Sequence, residues 1–145
     1  NIYEEKPSFI LDDGKFVSLL NSQGKKIETI NSSKNIYENL VVISGNNVVD
    51  KINDLKAILN TSPDLAEKIT SAKLISNRRW SLVHSYFTTL DLPEKNPENA
   101  FRKLASLNKR YGIISGNLKK IDLRVKNRMI IKFNINKFSF SENKV

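Results

Sequence analysis

The sequence has 145 residues, 39% of them hydrophobic and 27% charged, which supplies enough apolar material for one folded domain with its own core. It contains no cysteine, which excludes a disulfide framework and thiolate metal sites. The formal net charge of +9 suggests nucleic acid or an anionic membrane surface as a partner, but the basic residues form scattered doublets without a helix-turn-helix, RNA-binding or zinc-finger pattern. We therefore expect most of them on solvated faces, and a module that binds nucleic acid or an anionic surface stays the alternative function.

No run of the sequence approaches the ~18 apolar residues of a membrane span. The N-terminus also lacks the basic-then-apolar order of a signal peptide. Because the sequence starts at Asn1 and not at methionine, we expect it to be a fragment whose anchor or leader lies upstream.

Residues 1–30 alternate short apolar runs with turns, which predicts a β-meander. Gly14 and Gly24 lie at its two turns, where a hairpin needs a positive φ angle. Pro7 cannot donate to a strand ladder, so its strand should lie at an edge of the sheet or change partners there. A short buried strand should follow at residues 40–43.

After the meander the apolar period changes to that of a helix. Residues 48–60 repeat apolar side chains on one face, and a second short helix should start at Pro63 with Ser62 as its N-cap. The strand period then returns, and it predicts strands at residues 72–76, 80–83 and 87–92.

The clearest helix covers residues 96–111. Asn96 should cap it and Pro97 occupies the first helical position, while Gly112 ends it. Its buried stripe should consist of apolar residues at helical spacing: Ala100, Phe101, Leu104, Leu107 and Tyr111.

Residues 121–133 alternate apolar and polar side chains on both sides of a short polar segment, which predicts a β-hairpin. Asn127 or Arg128 must then adopt the left-handed conformation in its loop. A three-residue loop sets a register that pairs Val125 with Met129, Leu123 with Ile131 and Ile121 with Phe133 on one face. On the other face the same register pairs Asp122 with Lys132.

Together the segments amount to roughly nine strands and two or three helices. The predicted fold class is therefore α+β, a mostly antiparallel β-sheet with two or three helices packed on it. Such a domain should fold alone.

The sequence contains no convergent set of catalytic residues. His84 is the single histidine, has no motif partner for a metal, and is expected at the surface. Asp12 and Asp13 before Gly14 lack the further acidic positions of a calcium loop, and a hairpin turn explains them better. We therefore predict no enzyme activity, cofactor, metal or small-molecule substrate. The alternative, a hydrolase with a degenerate site, lacks residues that could be named as its catalytic groups.

Trp80 is the only tryptophan and follows Arg78 and Arg79 at the start of a strand. We expect Trp80 to fill the core. For the two arginines the pattern leaves two alternatives open: both are solvated, or one of them stacks or pairs at the edge of the sheet.

Several short motifs follow one another along nearly the whole chain: Glu5-Lys6-Pro7, Ile43-Ser44-Gly45, Arg78-Arg79-Trp80-Ser81-Leu82, Leu92-Pro93-Glu94 and Ile121-Asp122-Leu123-Arg124. In this order they resemble the periplasmic part of the FtsQ/DivIB family of bacterial cell-division proteins, and its alphaproteobacterial branch in particular. By this resemblance residues 1–7 are the end of a linking strand from a POTRA domain that is missing here. Residues 8–136 are then the β domain, and residues 137–145 a polar C-terminal tail.

The resemblance implies a non-enzymatic scaffold of the divisome that acts in septum formation. It places a single-pass anchor in the cell inner membrane, upstream of this chain, and this domain in the periplasm. The implied partners are the periplasmic parts of FtsB and FtsL, with FtsB adding a strand to the last strand of the domain. An apolar C-terminal strand fits such an edge, and the alternative that residues 135–140 fold back over it stays open.

The positions through which members of the family contact their partners correspond to residues of the hairpin and to one upstream arginine. The implied partner-binding residues are Val125, Asn127, Met129, Ile131 and Phe133, together with Arg78 or Arg79. Val125 stands where well-known members have an aromatic residue, and Phe133 where they have tryptophan. The contribution of these two positions to binding should therefore differ here.

Overall fold

The computed structural model of the chain describes residues 6–30 and 39–134. These ranges form the strands β1 (Phe9–Asp12), β2 (Val17–Leu20), β3 (Lys26–Ile30), β4 (Val41–Ser44), β5 (Ile69–Ile75), β6 (Arg79–His84), β7 (Thr89–Asp91), β8 (Leu118–Asp122) and β9 (Ile130–Phe133). They also form the helices α1 (Ile52–Asn60), α2 (Pro63–Ala66) and α3 (Pro97–Tyr111), and a 3-10 turn at Val49–Lys51 leads into α1. Most of the expected linking strand and the C-terminal tail lie outside the described residues.

The nine described strands form one sheet in the order β3-β2-β1-β4-β5-β6-β7-β8-β9. Three neighbouring pairs are parallel, namely β1 with β4, β4 with β5 and β7 with β8, and the other pairs are antiparallel. Parallel neighbours need a crossover, which α1 and α2 supply between β4 and β5, and α3 between β7 and β8. The predicted α+β class with a mostly antiparallel sheet is therefore confirmed.

The core lies between one face of the sheet and the helices α1 and α3. Leu55 and Ile58 of α1 are fully buried, as are Phe101 and Leu104 of α3, and the two helices contact each other. Side chains alternate along β6 between this core and the other face, and Trp80 points to the core. The prediction that Trp80 fills the core is confirmed. Each such buried side chain contributes about 1.5–3 kcal/mol to stability.

Helix α3 begins at Pro97 and ends before Gly112, as predicted from these two residues. Asn96 makes no side-chain cap, because it adopts the left-handed conformation with φ 52° and not the extended one of a usual N-cap. Tyr111 is exposed, so its place in the buried stripe was predicted wrongly. The fully buried stripe ends at Leu104, and the last turn of α3 lies at the surface of the domain.

Further details differ from the prediction, and one of them is the start of β5 at Ile69 instead of residue 72. Ser62 precedes α2 without a side-chain hydrogen bond to the helix, although Pro63 does occupy the first helical position. Strand β7 is shorter than expected, because Phe87 lies in the turn before it with φ 67°. The β6–β7 connection is therefore a tight turn from His84 to Thr88, in which the amide of His84 donates to the carbonyl of Thr88 at 2.8 Å.

The β8–β9 hairpin forms, but its register differs from the predicted one. Ile121 lies opposite Ile131, and Leu118 lies opposite Phe133. The predicted pairs Ile121 with Phe133, Leu123 with Ile131, Val125 with Met129 and Asp122 with Lys132 are wrong. Lys132 lies opposite Lys120 instead, and a bulge interrupts the ladder between Leu118 and Lys120.

Two hydrogen bonds explain the longer connection between β8 and β9. The amide of Leu123 donates to the carbonyl of Asp91 at 2.8 Å, which holds this residue against the end of β7 and away from β9. The amide of Arg124 donates to the carboxylate of Asp122 at 3.0 Å, which turns the chain directly after β8. The expected left-handed residue is Asn127, with φ 63°.

Candidate functional site

Strand β9 is the last strand of the sheet, and within the described ranges its one neighbour is β8. All four of its residues are exposed, including the large apolar side chains of Ile130, Ile131 and Phe133. Ile131 lies opposite the buried Ile121 and therefore projects on the core side of the sheet, whereas Ile130 and Lys132 project on the other face. An apolar strand at the end of a sheet is a template on which another chain can form a strand.

The hairpin brings together the predicted site residues of the C-terminal segment. Val125 and Asn127 lie in the exposed loop between β8 and β9, and Met129 packs partly against the core just before β9 begins. Ile131 and Phe133 lie on the strand itself. The amide of Arg128 donates to the carbonyl of Val125 at 3.1 Å, so a turn fixes the shape of the loop.

The two candidate arginines have different surroundings, and neither lies on β9. Arg78 is in the turn before β6, with its side chain 67% exposed and Nε 3.8 Å from Oε1 of Glu94. Arg79 opens β6, and its side chain is 27% exposed. Nη1 of Arg79 is buried and has no hydrogen-bond acceptor among the described residues, since Oδ1 of Asp91 is 4.0 Å away. Arg79 is thus three strands from the edge, on β6.

A group of charged residues on the sheet face opposite the helices was not foreseen from the sequence. The nearly buried carboxylate of Asp91 accepts a hydrogen bond from Oγ of Ser81 at 2.8 Å and lies 3.4 Å from Nζ of Lys120. Arg79 approaches the same carboxylate from the neighbouring strand. The order of the strands brings this group together, because its members are far apart in the sequence.

Asp122 and Arg124 form the best-defined ion pair of the hairpin. Nε and Nη2 of Arg124 donate to the two carboxylate oxygens of Asp122 at 2.9 and 2.8 Å. This pairing, with the backbone amide of Arg124, lowers the pKa of Asp122 to about 2 and raises the pKa of Arg124, although burial of the carboxylate opposes the lowering. The spacing of two residues, with Asp at a strand end, is a signal for such a local turn.

The face of the hairpin near the edge is positively charged. Lys120 of β8 and Lys132 of β9 lie directly opposite each other, which is an unfavourable cross-strand pair. Asp91 neutralises part of the charge of Lys120, while Lys132 is exposed. An approaching strand with an acidic side chain on this face would relieve the repulsion between the two lysines.

His84 is buried, with 4% of its surface exposed, so the prediction of a surface histidine was wrong. The alternation of β6 continues to its last residue, which places His84 on the same side as Trp80 and Leu82. Its Nδ1 accepts a hydrogen bond from the amide of Tyr86 at 3.1 Å. Burial, and secondarily the charge of Lys68, lowers the pKa of His84, so the ring is neutral at pH 7.

The acidic residues of the described ranges do not assemble into a metal site. Asp12 and Asp13 accept backbone hydrogen bonds in the β1–β2 turn, from Gly14 at 3.0 Å and from Phe16 at 2.8 Å respectively. The backbone hydrogen bonds from Phe16 and Lys15 lower the pKa of Asp13. Across the described ranges no three His, Asp or Glu residues are grouped as metal ligands. None of the helices in these ranges has the length and apolar character that a membrane span requires.

Comparison with known proteins assigns the family. The family model of the C-terminal region of the cell-division protein FtsQ/DivIB matches residues 10–124 of this chain. The chain belongs to the FtsQ/DivIB family. This is a family of bacterial cell-division proteins, as the order of the sequence motifs indicated.

Individual relatives support the assignment to FtsQ/DivIB. The chain is 26% identical over 135 residues to FtsQ of Novosphingobium aromaticivorans, covering 91% of this chain and 41% of that protein. It is 30% identical over 133 residues to FtsQ of Rickettsia bellii, covering 90% of this chain and 48% of that protein. The predicted relationship to alphaproteobacterial members is confirmed. The chain spans less than half the length of these relatives.

The fold is also similar to a solved FtsQ/DivIB structure. It matches the major extracytoplasmic domain of DivIB from Geobacillus stearothermophilus, in its trans isomer, with a TM-score of 0.51 at 10% sequence identity. The match covers 77% of this chain and 98% of that chain. At this low identity the similarity concerns the fold, which agrees with the α+β class derived above.

Proposed function

We propose that this domain is a non-enzymatic scaffold of the divisome, which binds the periplasmic segments of FtsB and FtsL by strand addition at β9. In this proposal residues 1–7 link it to an upstream POTRA domain, residues 8–136 form the binding domain and residues 137–145 are a tail. A single-pass helix upstream of the chain anchors it in the inner membrane, with this domain in the periplasm. The observation that carries the proposal is the exposed, apolar strand β9 at the end of the sheet.

Strand addition supplies both affinity and selectivity. Backbone hydrogen bonds between the partner and β9 give affinity, while alternate side chains give selectivity because they project on opposite faces. Ile131 offers an apolar contact on the core side, and Lys132 offers a charged contact on the other face. We therefore propose a partner strand with an apolar residue on one face and an acidic residue on the other.

Between the two arginines, we propose that Arg79 receives an acidic group of the partner. Its Nη1 is buried without an acceptor in the described part of the chain, and such a group gains a charge-assisted hydrogen bond when a carboxylate arrives. Arg78 is exposed and already lies near Glu94. Because Arg79 lies on β6, the partner must extend beyond the edge strand across the charged face of the sheet.

The test is a titration of backbone amide chemical shifts of this chain with the periplasmic FtsB–FtsL segment. We expect the shifts to concentrate on β9, on the β8–β9 loop and on Arg79. Ile131→Glu and Phe133→Glu should each weaken binding about tenfold or more, because they place a charge in an apolar contact. Phe16→Glu is the matched control, since Phe16 is an exposed aromatic residue in the β1–β2 turn.

The same titration separates the proposal from its alternative. Shifts that scatter over the basic residues and disappear at high salt would favour a module for nucleic acid or anionic surfaces. Arg79→Ala should weaken partner binding more than Arg78→Ala does. An equal effect of the two arginine variants would contradict the role given to Arg79.

A further inference from the structure

A groove of about 640 Å3 lies between α2, the β6–β7 turn and the C-terminal half of α3. Apolar residues such as Leu65, Ala105 and Ile114 line part of it. Its charged lining consists of three cations and one acid: Lys68, Arg102, Lys109 and Asp64. All four charged side chains are exposed, so the groove has an apolar lining and an excess of positive charge.

The β6–β7 turn adds two exposed aromatic residues to this part of the surface. Tyr86 lines the groove, and the next residue, Phe87, is 86% exposed. The turn holds them in place, because the amide of Phe87 donates to the carbonyl of His84 at 2.7 Å and the amide of Ser85 donates to the carbonyl of Lys68 at 2.8 Å. Phe87 is thus held out to solvent by a hydrogen-bonded turn, a position that contributes nothing to the core.

The amides from His84 to Phe87 are not available to a peptide partner. The four amides from His84 to Phe87 all donate within the domain, to Thr88, Lys68, the ring of His84 and the carbonyl of His84. A peptide therefore cannot add a strand here as it can at β9. Recognition must use side chains: cations, exposed aromatic rings and the neutral imidazole, whose Nε2 carries the proton because Nδ1 accepts.

We propose that Lys68, Tyr86, Phe87, Arg102 and Lys109, hereafter the aromatic–basic surface, dock this domain on an anionic phospholipid surface. Lipid phosphates attract the three cations, and the neighbouring aromatic rings enter the interface between headgroups and acyl chains. His84 is also among the residues that line the groove. This contact is independent of the strand addition proposed at β9.

The experiment measures co-sedimentation of the 145-residue chain with vesicles. Vesicles that mix phosphatidylglycerol with phosphatidylcholine should bind it, and vesicles of phosphatidylcholine alone should not. Lys68→Gln and Lys109→Gln should each weaken binding about fivefold, since one cation near an anionic surface contributes that factor. Phe87→Ser should weaken binding about tenfold through lost apolar burial.

Matched variants make the result specific. Lys25→Gln removes an exposed lysine in the β2–β3 turn and Phe16→Ser an exposed phenylalanine in the β1–β2 turn, and neither should change vesicle binding. Phe133→Glu should also leave it unchanged, which separates this proposal from strand addition. Equal binding to neutral vesicles, no binding at all, or equal losses in the control variants would overturn the proposal.

A soluble probe distinguishes a lipid surface from a site for free phosphate. The imidazole signal of His84 is unique in the spectrum, because the chain has one histidine. Glycerol 3-phosphate that shifts this signal while the anionic vesicles fail to bind would identify a small-anion site and overturn the docking role. Vesicle binding that survives millimolar glycerol 3-phosphate supports the role.

Discussion

The buried imidazole of His84 makes stability depend on pH at one residue. Burial beside Lys68 lowers its pKa below the ordinary 6.5, and the groove around it also contains Asp64, Arg102 and Lys109. The unfolded chain therefore binds a proton at a higher pH than the folded chain does. The contribution of the neutral His84 to stability is fully present above about pH 6.5, and it is lost as the pH falls toward the lowered pKa of the folded state.

This dependence is measurable by urea unfolding between about pH 7.5 and about pH 5.5, where most carboxylates keep their charge. We expect the free energy of unfolding to fall on acidification across this window. His84→Gln should remove most of that fall, although it lowers stability at neutral pH. The same pH dependence in the variant as in the parent chain would show that another group titrates.

Gly45 occupies a backbone position that other residues cannot adopt without strain. Its φ angle is 115°, and a Cβ atom there would clash with the backbone of Leu74 on the neighbouring strand β5. Gly45→Ala should therefore destabilise the domain by at least about 2 kcal/mol. Gly116→Ala is the matched control, because Gly116 has open space around its Cβ position and should change stability by less than about 0.5 kcal/mol. Thermal unfolding of both variants checks the difference.

At the scale of elements, the β8–β9 connection depends on one carboxylate. Asp122 accepts three hydrogen bonds from Arg124, which lower its pKa to about 2. Its contribution to stability is present above about pH 3.8, the ordinary value, and is lost as the pH falls toward about 2. Because Arg124 is partly exposed, solvent screening limits the contribution to about 1 kcal/mol.

Asp122→Asn should therefore lower the free energy of unfolding by about 1 kcal/mol at neutral pH. The difference from the parent chain should shrink as the pH approaches about 2. Combining it with Arg124→Met should add little, since the two residues act as one pair. Additive losses in this double-mutant cycle would mean that the pair does not account for the effect.

The elements that depend on local residues were predictable, and those that depend on distant contacts were not. Pro97 and Gly112 bound helix α3 through their own backbone preferences, so both ends of the helix follow from the sequence. The register of β9 depends instead on the hydrogen bond from the amide of Leu123 to the carbonyl of Asp91. Helix α3 separates these two residues in the sequence. No period within residues 121–133 contains that information.

The same distinction applies to the candidate site. The apolar alternation of Ile131 and Phe133 is local, and it predicted a half-buried strand, which the structure places exposed at the end of the sheet. The charged group of Arg79, Asp91 and Lys120 requires the order β6-β7-β8, which includes a parallel crossover through α3. His84 was misplaced because a polar residue at a strand end is usually exposed, whereas the alternation of β6 carries it into the core.

At the scale of the whole molecule, one continuous sheet extends from β3 to β9, and this gives strand addition a distinct signature in hydrogen exchange. A partner that pairs with β9 protects its amides directly and β8 through the shared ladder, but leaves β2 and β3 at the other end unchanged. With the partner at a hundred times its Kd, protection of β9 amides that exchange by local opening should rise about 100-fold. Because these contacts are backbone hydrogen bonds, the pattern should persist when salt screens the net charge. Protection spread evenly over the sheet, or lost at high salt, would instead indicate binding through the basic surface as a whole.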